Sequence, residues 1–436
     1  MSGMKLCGFL IAGPVIHSHA LWRNPYGDTN FLSLEYYINI AETLERGKFH
    51  FVFFADRLAV GDTYGQSFDA SIRWGDQDAT RLDPVPILGA MAARTSHLGL
   101  GATRSTSYDQ PYNVAREFAT LDHISGGRAA WNVVTSMNDS EARNFGVSQH
   151  LEHDKRYDRA DEFLEVVTSL WESWDKDALV LDKEAGHYAD PTKVRYLNHS
   201  GPWYQVKGPL NIPRTPQERP VIIQAGSSGR GREFAARWAE VVFNLQPSPA
   251  KMKAFYGDLK NRLPDYGRKA SDLQILPAIM PFVGATASEA KEKQRIHNER
   301  VTALVGLSTL SGHANYDFSK HELSEILASV DASGTQGNLQ NVIRLAQERQ
   351  LDLAAIGRLY AQTVMVPQVT GTADEVADYM AGIYKDAGAD GFVISPAFLP
   401  QSFDDFVEGV IPRLQSSNLF QKEYASRQLR DNLLAR

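Results

Sequence analysis

Short apolar runs alternate with amphipathic segments along most of the chain. The apolar runs predict strands at 5–12, 49–55, 97–102, 129–134, 221–224, 240–244, 273–282 and 391–394. Apolar residues at helical spacing predict helices at 32–47, 84–93, 111–121, 156–174, 251–263, 373–387 and 403–414, and one that ends near 238. Eight strand-then-helix units predict an α/β fold, a closed (β/α)8 TIM barrel rather than an open sheet.

Three longer segments interrupt this alternation, at about 57–83, 175–218 and 283–365. We interpret them as insertions into a single barrel domain that spans 1–436. The first and the last follow strands directly, so they are expected on the active-site face, where the carboxyl ends of barrel strands lie. The second follows a helix, and its placement stays open.

Composition limits the classes of binding partner and of metal or disulfide site that we expect for this protein. The 436 residues carry a net charge of −7, which gives no electrostatic reason to expect nucleic acid or a membrane surface as partner. Cys7 is the sole cysteine, which excludes an intramolecular disulfide and a multi-cysteine zinc site. No apolar stretch approaches the roughly 18–20 residues of a transmembrane helix. The protein is therefore expected to be soluble and cytoplasmic.

Polar side chains lie where several predicted strands end. Asp56 follows the second strand, Thr103 follows the third, and Asn132 and Thr135 lie at or near the end of the fourth. At the carboxyl ends of parallel strands such groups can bind a ligand. Each can also be an ordinary strand end or a loop cap.

A glycine- and serine-rich turn, GSSGRG at 226–231, follows the fifth strand and opens a helix. Backbone N–H groups, the helix dipole and the hydroxyls of Ser227 and Ser228 would form an anion cradle suited to a phosphate. The alternative is a serine N-cap with glycines for close packing. His153 and Tyr157, four residues apart, are further candidates for contact with a ligand.

Histidines are concentrated in the loops predicted on the active-site face. His17 and His19 follow the first strand, and His313 lies in the last insertion. We expect acid–base chemistry or substrate hydrogen bonding rather than a metal site, because no HExxH motif or convincing carboxylate set is present. An apolar wall near the barrel mouth would come from Trp22, Phe53 and Phe243. Each of these residues can instead belong to a loop or to the core.

Several stretches resemble flavin-dependent monooxygenases of the bacterial-luciferase-like superfamily. They are ETLERGKFHFVFFADRLAV from Glu42, LGLGATRSTSY from Leu98, LDHISGGRAAWNVVTS from Leu121, EHDKRYDRADEFLEVVTSLWESWD from Glu152, KGPLNIPRTPQERPVIIQAGSSGRGREFAARWAE from Lys207 and DGFVISPAFLP from Asp390. The chain is most similar to the group of nitrilotriacetate and dibenzothiophene-sulfone monooxygenases, and within it to the dibenzothiophene-sulfone type.

This resemblance implies the oxygenase component of a two-component system. A separate NAD(P)H:flavin reductase would supply reduced FMN, which reacts with O2 and oxygenates a small molecule through a flavin-peroxide. The implied substrate is a small apolar or aromatic compound, a sulfone or a halogenated ring, as in xenobiotic degradation. We also expect a homo-oligomer, either a dimer or a tetramer.

The resemblance also implies roles for individual residues. The cofactor-binding set is Asp56, Thr103, Asn132, Thr135, His153, Tyr157, Ser227 and Ser228. The catalytic set is His17 and His313, and Phe53 and Phe243 are apolar pocket positions. From the loop after the first strand, we add His19 and Trp22 to the predicted substrate pocket.

Two alternatives stay open at the level of sequence. One is an aminopolycarboxylate (nitrilotriacetate-type) monooxygenase, whose anionic substrate Arg23, Arg57 and Arg104 could bind. The other is a non-catalytic barrel protein that binds flavin or deazaflavin.

Overall fold

The fold is given by a computed structural model that describes residues 3–327, 330, 334 and 336–434, with only the backbone at 336–338. The strands are β1 (Lys5–Ile11), β2 (Phe51–Ala55), β3 (Gly99–Ser105), β4 (Ala129–Val134), β5 (Leu179–Asp182), β6 (His187–Ala189), β7 (His199–Ser200), β8 (Gln205–Val206), β9 (Val221–Gln224), β10 (Val241–Asn244), β11 (Gln274–Gly284), β12 (Gln368–Thr372) and β13 (Gly391–Ile394). The α-helices are α1 (Leu34–Arg46), α2 (Asp69–Trp74), α3 (Pro84–Arg94), α4 (Pro111–Ser125), α5 (Asp139–Asn144), α6 (His153–Trp171), α7 (Gly229–Trp238), α8 (Pro249–Arg262), α9 (Ala287–Glu299), α10 (Ala303–Ala314), α11 (Gln336–Arg349), α12 (Leu353–Thr363), α13 (Ala373–Lys385), α14 (Gln401–Asp405), α15 (Ile411–Ser416) and α16 (Leu429–Leu434).

Eight parallel strands close into a barrel in the order β1, β2, β3, β4, β9, β10, β11 and β13, and β13 pairs with β1. The predicted closed barrel is therefore confirmed. Its strands are mainly apolar because both of their faces are buried, and polar residues are concentrated toward their carboxyl ends. On β4, for example, Trp131 packs against Phe118 and Phe163 of the surrounding helices.

The sequence did not predict β12. This strand pairs in parallel with the carboxyl-terminal half of β11, outside the ring, from Met280 opposite Gln368 to Gly284 opposite Thr372. Its side chains alternate between buried and half-buried, and most of them are polar or small. A short strand of this composition lacks the apolar run that identifies the barrel strands.

The segment at 283–365 contains α9, α10, α11 and α12. Apolar side chains of its last three helices and of the loop between them form a cluster separate from the main core: Leu307, Leu310, Ala314, Phe318, Leu327, Leu339, Val342, Ala346, Leu353, Ile356, Tyr360 and Val364.

The segment at 57–83, predicted as a loop, includes α2. Ser308 of α10 donates a hydrogen bond to Asp76 of that segment over 2.6 Å. Leu82 N in turn donates to Ala12 O, directly after β1, over 2.7 Å.

The segment at 175–218 forms two antiparallel hairpins, β5–β6 and β7–β8. It packs along the outer helices: Trp174 Nε1 donates to Leu210 O over 2.7 Å, and Tyr204 Oη donates to Thr106 O over 3.1 Å. The hairpins therefore run along the side of the barrel and approach the carboxyl end of β3.

The C-terminal segment lies across the opposite end of the barrel, where the strands begin. Leu429 N donates to Gly127 O over 2.9 Å, and Lys5 Nζ donates to Asn432 O over 2.7 Å. Arg430 pairs with the buried carboxylate of Glu240 at 2.9 Å. Within the residues that the structure describes, no helix is long and apolar enough to cross a membrane.

Candidate active site

Polar side chains from adjacent strands meet at the carboxyl end of the barrel. Asn132 Nδ2 donates to Thr103 Oγ1 over 2.9 Å, and Thr103 Oγ1 donates to Phe54 O over 2.9 Å. Asn132 Oδ1 is buried and has no hydrogen-bond partner in the described part of the chain. A buried carbonyl oxygen normally has a donor. Asn132 therefore presents an acceptor suited to a bound ligand.

Asp56 borders the same region. Its Oδ1 accepts a hydrogen bond from Arg57 N over 2.8 Å, and its Oδ2 lies 3.9 Å from Arg104 Nη1. Burial raises the pKa of Asp56 to about 6, and Arg81 and Arg104 oppose that rise. A cavity of about 270 Å³ opens beside this carboxyl group, between the carboxyl ends of β2, β3 and β4. It reaches Thr103 as well as Asp56.

The loop after β4 is fixed by a buried carboxylate that sequence reasoning missed. Glu141 accepts hydrogen bonds from Ser136 Oγ over 3.2 Å and from Leu58 N over 3.3 Å. Ser136 has a positive φ of 56° and also contacts Ser105 Oγ at 2.8 Å. Thr135 lies within this loop, and its carbonyl accepts from Ser107 Oγ over 2.8 Å. Glu141 thus links the segment that follows β2 to the loop that follows β4.

The glycine- and serine-rich turn caps α7. Ser228 Oγ accepts a hydrogen bond from Gly231 N over 3.0 Å, so the predicted cap is present. The same oxygen lies 3.3 Å from His153 Nε2 at the start of α6. The ring of Tyr157 lies 5.1 Å from the ring of His153. Four of the predicted cofactor residues therefore lie around one helix N-terminus, since Ser227 is the neighbour of Ser228.

This turn needs a glycine at position 226 for space. A Cβ atom at Gly226 would overlap Gln224 Nε2 and would lie 3.0 Å from Tyr157 Oη. A Cβ atom at Gly229 would meet no atom within 4 Å. At the ends of β9 and β10, Gln224 Oε1 and Asn244 Oδ1 are buried without a partner among the described residues. Neither was singled out from the sequence.

The two histidines predicted as catalytic are both buried. His17 Nδ1 lies 2.9 Å from Ser395 Oγ, and His313 Nδ1 lies 2.7 Å from Tyr360 Oη. Burial is the main cause that lowers the pKa of each histidine to about 3, and the positive charge of Arg81 lowers both pKa values further. Both imidazoles are therefore neutral at physiological pH.

An aromatic wall lies beside His17. The His17 ring stacks on Phe9 at 4.2 Å with an interplanar angle of 6°. Phe9 contacts Phe53 at 5.4 Å and Phe243 at 5.5 Å. The structure thus brings Phe53, Phe243 and His17 together, and adds Phe9, which was read only as part of a buried strand.

Two residues predicted for the substrate pocket do not join the aromatic wall. Both ring nitrogens of His19 are used, by Ala361 O at 3.0 Å and by Thr309 Oγ1 at 2.6 Å, so this side chain connects the β1 loop to α10 and α12. Trp22 is 40% exposed and lies against Gly75. Neither residue contacts the aromatic wall through a described ring or hydrogen-bond interaction.

Charged groups of the 57–83 segment lie next to the histidines. Asp78 is buried between Arg57 and Arg81, with Arg81 Nη2 at 2.7 Å. Burial opposes ionisation, but the two guanidinium groups outweigh it and lower the pKa of Asp78. The other arginines considered from the sequence are placed differently: Arg23 is exposed, and Arg104 binds Glu117 at 2.8 Å.

Comparison with known proteins identifies the family of this chain. A family model described as luciferase-like monooxygenase matches residues 16–391. The chain belongs to this family. It is 49% identical over 435 residues to the dibenzothiophene-sulfone monooxygenase of Rhodococcus erythropolis, covering 99% of this chain and 96% of that protein. The resemblance noted from the sequence motifs is therefore confirmed, and this luciferase-like chain is a monooxygenase rather than a non-catalytic barrel protein.

Two further matches extend the comparison. Component A of the nitrilotriacetate monooxygenase of Aminobacter aminovorans is 41% identical over 435 residues, with 98% and 95% of the two chains covered. This identity is lower than the 49% above, as the motifs predicted. A crystal structure of riboflavin lyase with modified FMN and its substrate riboflavin superposes with a TM-score of 0.90 at 33% identity, and covers 100% of this chain and 96% of that one.

Proposed function

We propose that this luciferase-like monooxygenase is the oxygenase component of a two-component system, which takes reduced FMN from a separate NAD(P)H:flavin reductase. The observation that carries the proposal is the pairing of an anion cradle at α7 with buried amide oxygens on neighbouring strands that have no partner among the described residues. FMN has both matching parts: a phosphate, and a ring system whose edge carries N–H and carbonyl groups. The solved relative with modified FMN supports the same cofactor.

The residues of the cradle fit a phosphate. Ser228, Ser227 and the first N–H groups of α7 would hold the phosphate, with His153 and Tyr157 beside it. Asn132, Thr103, Thr135 and Asp56 would bind the polar edge of the ring. When bound, reduced FMN supplies the electrons with which one atom of O2 is transferred to the substrate.

The inserted segments would exclude water from the reaction. Ser308 and Asp76 join α10 to the 57–83 segment, and Leu82 joins that segment to the end of β1. A site closed in this way protects reactive species from hydrolysis and strengthens its hydrogen bonds. His17 and His313, both neutral, would act as hydrogen-bonding groups rather than as cations.

The substrate that this site supports best is a small apolar or aromatic compound, such as a sulfone or a halogenated ring. Phe9, Phe53 and Phe243 supply a flat apolar wall that a planar ring can pack against. The name of the 49% identical relative points to the same class.

The experiment is a substrate screen with purified protein, FMN, NADH and a generic flavin reductase, preceded by anaerobic titration with reduced FMN. We expect saturable binding of reduced FMN and reductase-dependent product from aromatic sulfones. No binding of reduced FMN would contradict the cofactor. Turnover of aminopolycarboxylates alone would overturn the substrate class in favour of the nitrilotriacetate type.

A further inference from the structure

Three adjacent polar residues of the 57–83 segment, Asp76, Gln77 and Asp78, form a buried turn, which we call the 76–78 turn. Asp76 Oδ1 accepts hydrogen bonds from Ser71 Oγ over 2.6 Å and from Asp78 N over 2.9 Å. Arg81 holds the turn from the following residues, because its Nε donates to Gln77 O over 2.9 Å and its Nη2 donates to Asp78 Oδ1 over 2.7 Å. Polar side chains are seldom buried unless they are paired, so the remaining polar groups of the turn need partners on other elements.

Gln77 contacts the loop that carries His17. Its Nε2 donates a hydrogen bond to Ile16 O, the carbonyl directly before His17. The imidazole of His17 is held by other elements, with Ser395 Oγ at 2.9 Å from Nδ1 and the ring of Phe9 stacked at 4.2 Å. The backbone and the ring of His17 are thus fixed by different parts of the fold.

Asp78 contacts the end of α10 through Arg57. Asp78 Oδ2 pairs with Arg57 Nη1, and Arg57 Nη2 donates to Gly312 O over 3.3 Å. Gly312 directly precedes His313, whose Nδ1 lies 2.7 Å from Tyr360 Oη. A Cβ atom at Gly312 would lie only 3.0 Å from each of the two Nη atoms of Arg57. Arg57 can therefore approach this carbonyl because position 312 has no side chain.

The two contacts have the same form, since each one ends on the carbonyl of the residue that precedes a histidine. A third contact joins the turn to the middle of α10, where Ser308 Oγ donates to Asp76 Oδ2 over 2.6 Å. None of these contacts involves the glycine- and serine-rich turn before α7. The three residues of the 76–78 turn therefore hold the two segments that carry His17 and His313 without taking part in the cradle.

We propose that the 76–78 turn positions both histidines of the proposed active site: Gln77 acts through the backbone before His17, and Asp78 acts with Arg57 through the backbone before His313. This inference rests on the proposed function, because it gives both histidines a part in turnover. Gln77, Asp78 and Arg57 are positioning residues, and none of them needs to touch the substrate or the flavin. Misplacement of a reacting group by about 1 Å can lower a rate by about a hundredfold, so these remote contacts affect the chemistry.

The first test is amide hydrogen–deuterium exchange of the full-length protein, resolved by peptide. Gln77→Met keeps the length of the side chain but cannot donate, so we expect faster exchange at 15–19 and no change at 309–316. Arg57→Gln should give the opposite pattern. The control is Gln66→Met, at an exposed glutamine of the same segment, which should leave both regions unchanged. Acceleration of both regions in both variants, or of neither region, would overturn the assignment.

The second test is a single turnover. The complex of protein and reduced FMN is mixed with O2 and excess dibenzothiophene sulfone, and the first-order rate constant of product formation is measured. A loss of stability alone would change the amount of product but not this rate constant. We expect Gln77→Met to lower the rate constant by about tenfold or more and to leave reduced-FMN affinity unchanged.

Gly312→Ala tests the other arm even if Arg57→Gln does not fold, since alanine favours the helix while its Cβ displaces Arg57. We expect the same fall in the rate constant. The matched control is Gly257→Ala on α8, where a Cβ atom would meet no described atom within 4 Å. Normal rate constants in both Gln77→Met and Gly312→Ala would contradict the positioning role.

The two tests separate this inference from the proposed function. If the unmodified chain does not bind reduced FMN, the proposed cofactor fails; if it binds reduced FMN but forms no product from dibenzothiophene sulfone, the proposed substrate class fails. In both cases the exchange pattern decides whether the 76–78 turn holds the two histidine-bearing segments. If the unmodified chain is active and the variants keep its rate constant, only the positioning role fails.

Discussion

At the scale of single residues, burial decides which groups can change their charge during turnover. His17 and His313 stay neutral because burial lowers the pKa of each to about 3. Asp56 is the contrasting case, since burial raises its pKa to about 6, close to physiological pH. Two predictions follow from this contrast.

His17→Ala and His313→Ala should each lower kcat by roughly tenfold to a hundredfold, because each removes a neutral hydrogen-bonding group from the proposed site. Reduced-FMN affinity should change little, because neither side chain lies in the cradle. Neither histidine titrates near neutral pH, so their loss should not remove a limb of the pH profile between about 5 and 8. The measurements are kcat across pH and anaerobic FMN titration. His187→Ala, on the β6 hairpin, is the control, and near-normal turnover in both variants would remove these histidines from the mechanism.

Asp56→Asn tests the raised pKa. The carboxylate should accept a hydrogen bond from the flavin when ionised, so reduced-FMN affinity in the unmodified protein should fall as pH drops through about 6. The folded pKa lies above the ordinary value of 3.8, so the folded chain binds this proton more tightly than the unfolded chain does. Stability from this group is therefore full below 3.8 and is lost as pH rises through 6. Asp56→Asn should flatten both pH dependences; an unchanged slope would contradict the assignment.

Residues such as Arg81 and Glu141 show the limit of sequence reasoning at this scale. A charged residue in a polar loop is usually solvated, and the 57–83 segment contains many such residues. What makes Arg81 different is its burial against β1 and Asp78, which depends on tertiary contacts. Asn132 and Ser228 could be predicted from the sequence because a strand end and a helix N-terminus are local features.

At the scale of elements, the turn before α7 gives the sharpest test of the cradle. Gly226→Ala should weaken reduced-FMN binding by about tenfold or more, since the new Cβ must displace Gln224 or Tyr157. Gly382→Ala, on α13 and outside the cradle, has no described atom within 4 Å of its Cβ and is the matched control. Ser228→Ala should weaken binding by a smaller factor and should also cost about 1 kcal/mol of stability as a lost N-cap. Equal FMN affinities in the two glycine variants would argue against the cradle.

The barrel strands could be predicted because a strand buried on both faces is a continuous apolar run, and the bounds of β4 agree with the prediction. The strand β12 could not be predicted because only one of its edges pairs, with β11, and its half-buried polar positions break the apolar pattern. The helices of the 283–365 segment have weaker patterns because they bury their faces against each other and against the 57–83 segment.

At the scale of the whole molecule, the proposed cofactor-binding residues lie at the carboxyl ends of the strands. The C-terminal segment covers the opposite end of the barrel, where the strands begin. Arg430→Gln should lower the free energy of unfolding by about 3 kcal/mol, because it removes the guanidinium group that pairs with the buried carboxylate of Glu240. Reduced-FMN affinity should stay the same, since this pair lies where β10 begins. Thermal denaturation and FMN titration measure the two effects, and a variant that loses FMN affinity without losing stability would contradict this separation.

The pairing of β1 with β13 has a consequence for synthesis. Residues 5–8 can find their partners at 391–394 only after nearly the whole chain has left the ribosome. Until then β1 has an open edge, and the C-terminal segment that covers the start of the strands has not been made. The nascent barrel therefore exposes unpaired strand edges and apolar surface for most of translation, the condition under which chains aggregate and chaperones bind. A C-terminal truncation that spares every active-site residue is for this reason expected to fail first as a folding defect.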